Sequence, residues 1–257
     1  MSKWNDFPYE QAAFEFTAAS LKKAWKKLHQ GDCEPFPDDP SLQQAWRAFH
    51  NGNFQLAVQL ADQHGIAAHA VANKATGIYA TYLEDNEKRQ IDCFKSAIDR
   101  AEQAIKAFPR DPNAYYLHAF NLGRYSQSIS VVKALKQGVG GKIQQSLRKA
   151  LELQPKHADA HTAMGMYHAE IIDKVGKMLG AVTYGANEKE ALQHFEKALA
   201  LNPESPIIHI EYANGLYLLF GENRLDEVTN LYIKASEMQA RDAMEQLDIA
   251  AALAELE

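Results

Sequence analysis

Apolar residues recur at three- and four-residue spacing through nearly every long segment of the chain, as at Leu192, Phe195, Ala198 and Leu199. Sustained alternation rich in Val, Ile and Thr is missing. The first pattern lays an apolar stripe along an α-helix, whereas a half-buried strand requires the second. The chain is therefore expected to be all α. Its helices are punctuated by residues that interrupt them, namely Pro35, Pro37 and Pro40, Gly52, Pro109 and Pro112, Gly138 to Gly141, Pro155, and Pro203 with Pro206. The break from Gly31 to Pro40 sets apart an N-terminal helix running from Tyr9 to His29. Phe14, Phe16, Leu21, Trp25 and Leu28 give that helix a broad apolar face, which is expected to pack on the following helix pair. Residues 1–36 are accordingly read as a helix packed on a body spanning 37–257, with a closing helix over 240–256 whose Met244, Leu247, Ala251 and Leu256 share one side.

Within that body one pattern repeats. Ala191, Phe195, Ala198 and Pro203 have the same spacing as Ile143, Leu147, Ala150 and Pro155, and as Ala97, Ala101, Ala104 and Pro109. Small residues at these places let two helices approach closely, a larger one fills the space between them, and the proline ends the second helix. A preceding helix recurs too: His161, Met164, Gly165 and His168 are matched by His209, Tyr212, Ala213 and Leu216, and by Tyr115, His118, Ala119 and Leu122. Gly52, Phe54, Ala57, Val58 and Ala61 supply a turn and second helix further upstream, so five helix pairs are expected.

"KALELQP" and "KALALNP" resemble the second helix of the tetratricopeptide repeat, a unit of about 34 residues. The resemblance implies an all-α, right-handed α–α superhelix ending in a capping helix. The spacing departs from the family. Gly165 and Ala191 lie 26 residues apart, where the repeat has about 12. The surplus, Ile171 to Asn187, reads as one or two extra helical turns and then a loop at Gly180 to Gly185, and a similar extension precedes Gly138. Lengthened first helices of this kind are expected to project beyond the solenoid edge, where they can fold over its concave face. This layout resembles the regulator-of-microtubule-dynamics group over Ala101 to Glu257. It is also similar to tetratricopeptide components of periplasmic substrate transporters.

In tetratricopeptide proteins the first helices line a binding groove. Carried over position by position, the resemblance assigns Asn113, Tyr116, Phe120, Gly123 and Arg124 to it, then Asp159, Thr162, Met166, Ala169 and Glu170, then Ile207, Ile210, Asn214, Tyr217 and Leu218. Relatives that clamp the carboxylate end of chaperone tails carry Lys and Asn where this chain has Tyr116 with Phe120 and Thr162 with Met166. The groove is thus expected to take an apolar helix or strand of a partner protein, or an acyl chain enclosed by the insertions. The alternative is that the insertions cover these residues and make them ordinary core.

Composition narrows the classes further. Hydrophobic residues are 46% and charged residues 23% of the 257 positions, as in globular chains. The net charge of -6 and the absence of a long basic block argue against nucleic acid, and Lys22, Lys23, Lys26 and Lys27 share an amphipathic helix with Trp25. No stretch reaches the roughly 18 apolar residues of a membrane span. Cys33 and Cys93 match neither a disulfide framework nor a zinc spacing. With no export signal visible, a cytoplasmic protein is expected. His157, His161 and His168 recur along one helix without an HExxH motif, and packing accounts for His161 and His168. The "GVGG" run before Lys142 lacks the spacing of a phosphate loop and reads as a turn, while Ser126 and Ser128 lack a nearby base. No catalytic residue, metal or cofactor is expected.

Overall fold

A computed structural model of the chain describes residues 3–10 and 14–257. In chain order the helices are α1 (Ala18–Leu28), α2 (Pro40–His50), α3 (Phe54–Asp62), α4 (His69–Tyr82), α5 (Glu87–Ala107), α6 (Pro112–Gln127) and α7 (Val131–Lys136). They continue with α8 (Val139–Leu153), α9 (Ala158–Val175), α10 (Lys177–Tyr184), α11 (Glu188–Leu201), α12 (Pro206–Phe220), α13 (Leu225–Ser236) and α14 (Ala243–Ala254). No strand occurs among the described residues. Helix starts follow local chemistry: Asp39, Asn53, Asn86, Asp111, Asn187 and Asp242 each accept a hydrogen bond from a backbone N–H of the turn that follows. Pro40, Pro112 and Pro206 open α2, α6 and α12, where a missing N–H leaves no helical bond unmade.

The helices pair as α2 with α3, α4 with α5, α6 with α8, α9 with α11 and α12 with α13, and α14 packs on the last pair. The recurring positions form the seams between them. Ala97, Ala101, Ala104, Leu147, Ala150, Ala191, Phe195 and Ala198 are all fully buried. The Phe195 ring is held between two glycines. A Cβ at Gly165 of α9 would lie 2.8 Å from it, and one at Gly215 of α12 only 2.5 Å. A larger residue at either place would force the helices apart. The last helix also reaches back to the first pair, since Ala243 and Leu247 join the core built by Trp46, Phe49 and Phe54.

Both insertions are helical. α9 extends to Val175 as the spacing predicts, but the expected loop at Gly180 to Gly185 is instead α10. Gly176, at φ +85°, makes the break, and Gly185, at φ +62°, ends the new helix. Gly180 serves close packing rather than a turn, with Ile171 3.3 Å from where its Cβ would be. The extension before Gly138 is α7, and Gly138 to Gly141 then opens α8. At the N-terminus α1 begins at Ala18 rather than Tyr9, because Thr17 and Ser20 form a reciprocal cap there. Residues 11–13 of the expected helix lie outside the described residues. Phe7 and Phe14 precede α1 and still reach the core shared by Leu21, Trp25 and Trp46.

Candidate functional site

The first helices α4, α6, α9 and α12 face the concave side of the stack, and the chain itself occupies one end of that side. Residues 29–37, between α1 and α2, form a strap across it. The Gly31 carbonyl accepts from the Asp159 backbone N–H at 3.1 Å. Gln30 donates to the Leu201 carbonyl at 2.9 Å, and Glu34 accepts from the Asn113 amide at 2.5 Å. Any side chain at Gly31 would meet Asp159, whose Oδ1 lies 2.2 Å from the place of a Cβ. Cys33 takes a left-handed φ of +54°, uncommon for a residue with a side chain and sustained here by the contacts on either side.

Beneath the strap runs a buried polar chain. Lys74 donates to Asp32 at 2.6 Å, Asp32 pairs with His29 Nδ1 at 2.9 Å, His29 Nε2 meets His50 Nε2 at 3.2 Å, and His50 Nδ1 meets Asp242 at 2.6 Å. Both Nδ1 atoms face carboxylates, and the two Nε2 atoms face each other. Burial lowers the His29 pKa to about 4, against the pull of Asp32. Burial alone would raise Asp32, but His29 and Lys74 hold it well below the usual carboxylate range. This network ties α1, α2, α4, the strap and the start of α14 together.

Beyond the strap the concave side remains hollow, as a cavity of about 450 Å³. Its walls are largely apolar: Ile78 of α4, Phe120 of α6, Val139 and Ile143 of α8, and Met166 of α9. The insertions form its rim, through Val131, Ala134 and Leu135 of α7, Val175 at the end of α9, and Tyr184 of α10. Outward from the rim, α7 and α10 leave Val132 62%, Met178 82% and Val182 84% exposed. The floor is polar. Arg124 donates to Glu211 at 2.6 Å, the Tyr82 hydroxyl donates to Asp248 Oδ1 at 2.5 Å, and Lys74 and Asp159 sit alongside. Asp248 Oδ2 is buried with no hydrogen-bond partner among the described residues. Burial pushes the pKa of Asp248 up to about 8 and that of Asp159 to about 6, the latter against the pull of Lys74.

The residues assigned to the groove fall into two groups. Tyr116, Phe120, Gly123, Arg124, Asp159, Thr162, Met166, Glu170 and Ile207 line the cavity. The rest lie elsewhere. Asn113 is buried between Glu34 and His157, and Ala169 is buried in α9. Ile210 packs in the core of the last pair, Asn214 accepts from the Tyr232 hydroxyl, Tyr217 is 53% exposed and Leu218 is half-buried. The α12 contribution is cut short, because its lining residues are Ile207 and Glu211 in the first part of the helix. Of the three histidines, His157 caps α9 at Ala160, and His161 and His168 stand on either side of His194. Lys74, Tyr82 and Asp248 escaped the spacing argument, since two sit in an irregular repeat and one in the closing helix. One signal was legible: Lys74 is the sole acidic or strongly basic residue in the run from His69 to Tyr82.

Residues 42–255 match the family described as Regulator of microtubule dynamics protein 1-3. The chain belongs to that family. Among curated proteins, none matches the chain. Among solved structures, a thermophilic tetratricopeptide-repeat protein of Thermus thermophilus is similar at a TM-score of 0.58 and 20% identity, covering 83% of this chain and 97% of that one. The human IFIT1 dimer with m7Gppp-AAAA is similar at a TM-score of 0.42 and 14% identity, over 92% of this chain and 66% of that one. The fold of this family member is thus the right-handed α–α superhelix of tetratricopeptide proteins, with inserted helices and a closing helix. Among the described residues no helix is long and apolar enough to cross a membrane.

Proposed function

We propose that the protein is a non-catalytic binding protein whose concave cavity takes a single-chain amphiphile. One observation carries this reading: beside the strap, which is tied to Asn113 and Asp159, helices α4, α6, α8 and α9 surround one cavity with largely apolar walls. Its volume of about 450 Å³ falls inside the range of about 300–1,000 Å³ common to small-molecule sites, and its apolar walls and few convergent polar groups are typical of them. Gly123 supplies the test. A Cβ there meets nothing within 4 Å, although the residue lines the cavity, so a larger side chain extends into the open space. Gly123→Leu is expected to abolish uptake of a fluorescent fatty-acyl probe while leaving the helical circular dichroism unchanged. Uptake undiminished in that variant would refute the cavity as the site.

The exposed apolar rim favours a second reading, the scaffold for a partner protein. Met178 and Val182 on α10 and Val132 on α7 present side chains that none of the described residues covers. An apolar helix of a partner would bury against them. Met178→Asp with Val182→Asp is expected to abolish such binding without changing probe uptake. The unpaired Cys33 and Cys93 suit a reducing compartment such as the cytoplasm.

A further inference from the structure

The cavity floor has a definite chemical bias. Three cations line the cavity, and all are already engaged: Lys74 Nζ lies 2.6 Å from Asp32 Oδ2, Arg124 Nη2 lies 2.6 Å from Glu211 Oε1, and Lys174 Nζ lies 2.9 Å from Glu170 Oε2. Two carboxyl groups there lack an ionic partner among the described residues. Asp159 lines the cavity, and its side chain makes no hydrogen bond to any of them. Asp248 is 1% exposed and satisfies only Oδ1, through the Tyr82 hydroxyl, so Oδ2 stands as a buried oxygen with nothing to bind. A buried polar atom left without a partner costs free energy, and a ligand that supplies the partner recovers it. Counting Asp32, Glu170 and Glu211 as well, five carboxyl groups stand against three cations. Two carboxyl groups are left without a cation of their own.

We propose that this floor receives the protonated amine of a single-chain amphiphile, with Asp248 and Asp159 as the groups that hold it. The inference rests on the cavity reading above and names the head that such a ligand carries. An ammonium has three donors and no acceptor, which matches a floor whose unsatisfied groups are oxygens. A carboxylate or phosphate head would instead have to displace Asp32 from Lys74 or Glu211 from Arg124, leaving a buried acid unpaired. The raised pKa values of Asp248 and Asp159 agree with this, because burial is the leading cause of both and an adjoining ammonium would favour the ionised carboxylates. The hydrocarbon tail then runs from the floor along Phe120 and Met166 towards the rim.

The test compares three probes with one tail, dodecylammonium, dodecanol and dodecanoate, titrated calorimetrically below their micellar concentrations into the full chain. Charge-assisted hydrogen bonds of about 1.5–3 kcal/mol correspond to an affinity gain of about tenfold or more for the amine over the alcohol. Dodecanoate is expected to bind weakest. Asp248→Asn should cost the amine about tenfold and leave dodecanol unchanged, and Asp159→Asn provides the same comparison should the first variant fold poorly. Equal binding of all three probes, or tightest binding of dodecanoate, overturns the amine assignment and leaves the cavity reading standing. No binding by any probe overturns both.

Discussion

Gly215→Ala tests the packing that holds the later repeats together. The added methyl would sit 2.5 Å from Cε2 and Cζ of Phe195, where carbon atoms prefer about 3.5–4.0 Å. The ring would have to move by about 1 Å. It has nowhere to go: Gly165 presses the other side, Tyr212 stacks on it at 4.8 Å, and the side chain is fully buried. Overpacking of this kind costs about 1–3 kcal/mol, offset by up to about 1 kcal/mol from replacing a helical glycine. A net loss of about 1–2 kcal/mol corresponds to a Tm lower by about 2–8 °C for a chain of this size. The assay is urea denaturation followed by circular dichroism, beside Gly141→Ala in α8, where a methyl meets nothing within 4 Å. That reference should be neutral or slightly stabilised. Adding Phe195→Leu to Gly215→Ala should restore part of the loss relative to each single variant, as a coupling term in the double-mutant cycle. A Gly215→Ala protein as stable as Gly141→Ala would refute the two-glycine clamp.

Three further outcomes follow from the buried polar groups. Lys74→Met leaves Asp32 without its cation, and breaking a buried pair in this way costs about 3–5 kcal/mol, measurable as a lower denaturation midpoint. Gly31→Ala drives a methyl into Asp159 and should loosen the strap, seen as faster amide exchange over residues 30–36 with little change in the α12–α13 pair. Glu34 and Asp248 keep their protons to about pH 8 in the folded chain, burial being the leading cause, whereas they ionise near about pH 4 when unfolded. The stability they contribute is therefore full below about pH 4 and lost as the pH rises towards about 8. Asp248→Asn should flatten that decline in urea midpoints measured between about pH 5 and 8.5, and an unchanged slope would count against the buried acid.

The fold was written in local order. Ala97, Ala101 and Ala104, with their counterparts around Leu147 and Phe195, carry the seam of each helix pair, because close helix approach needs small residues at fixed spacing and proline ends each unit whatever lies around it. The tetratricopeptide architecture, the insertions and the apolar character of Tyr116, Phe120 and Met166 could all be read that way. What the cavity is made of could not. Whether Gly180 turns the chain or packs a helix depends on Ile171 being across from it, and Asn113 and Ile210 leave the lining because the strap and the last pair cover them. The floor joins Lys74 and Tyr82 of α4, Arg124 of α6, Asp159 of α9, Glu211 of α12 and Asp248 of α14, which lie up to 174 positions apart in the sequence. Periodicity reports which face of a helix is apolar, but only the superhelical return of α14 to the first pair sets which polar groups share one low-dielectric space. In that space they form pairs or, as at Asp248 Oδ2, are left unpaired among the described residues.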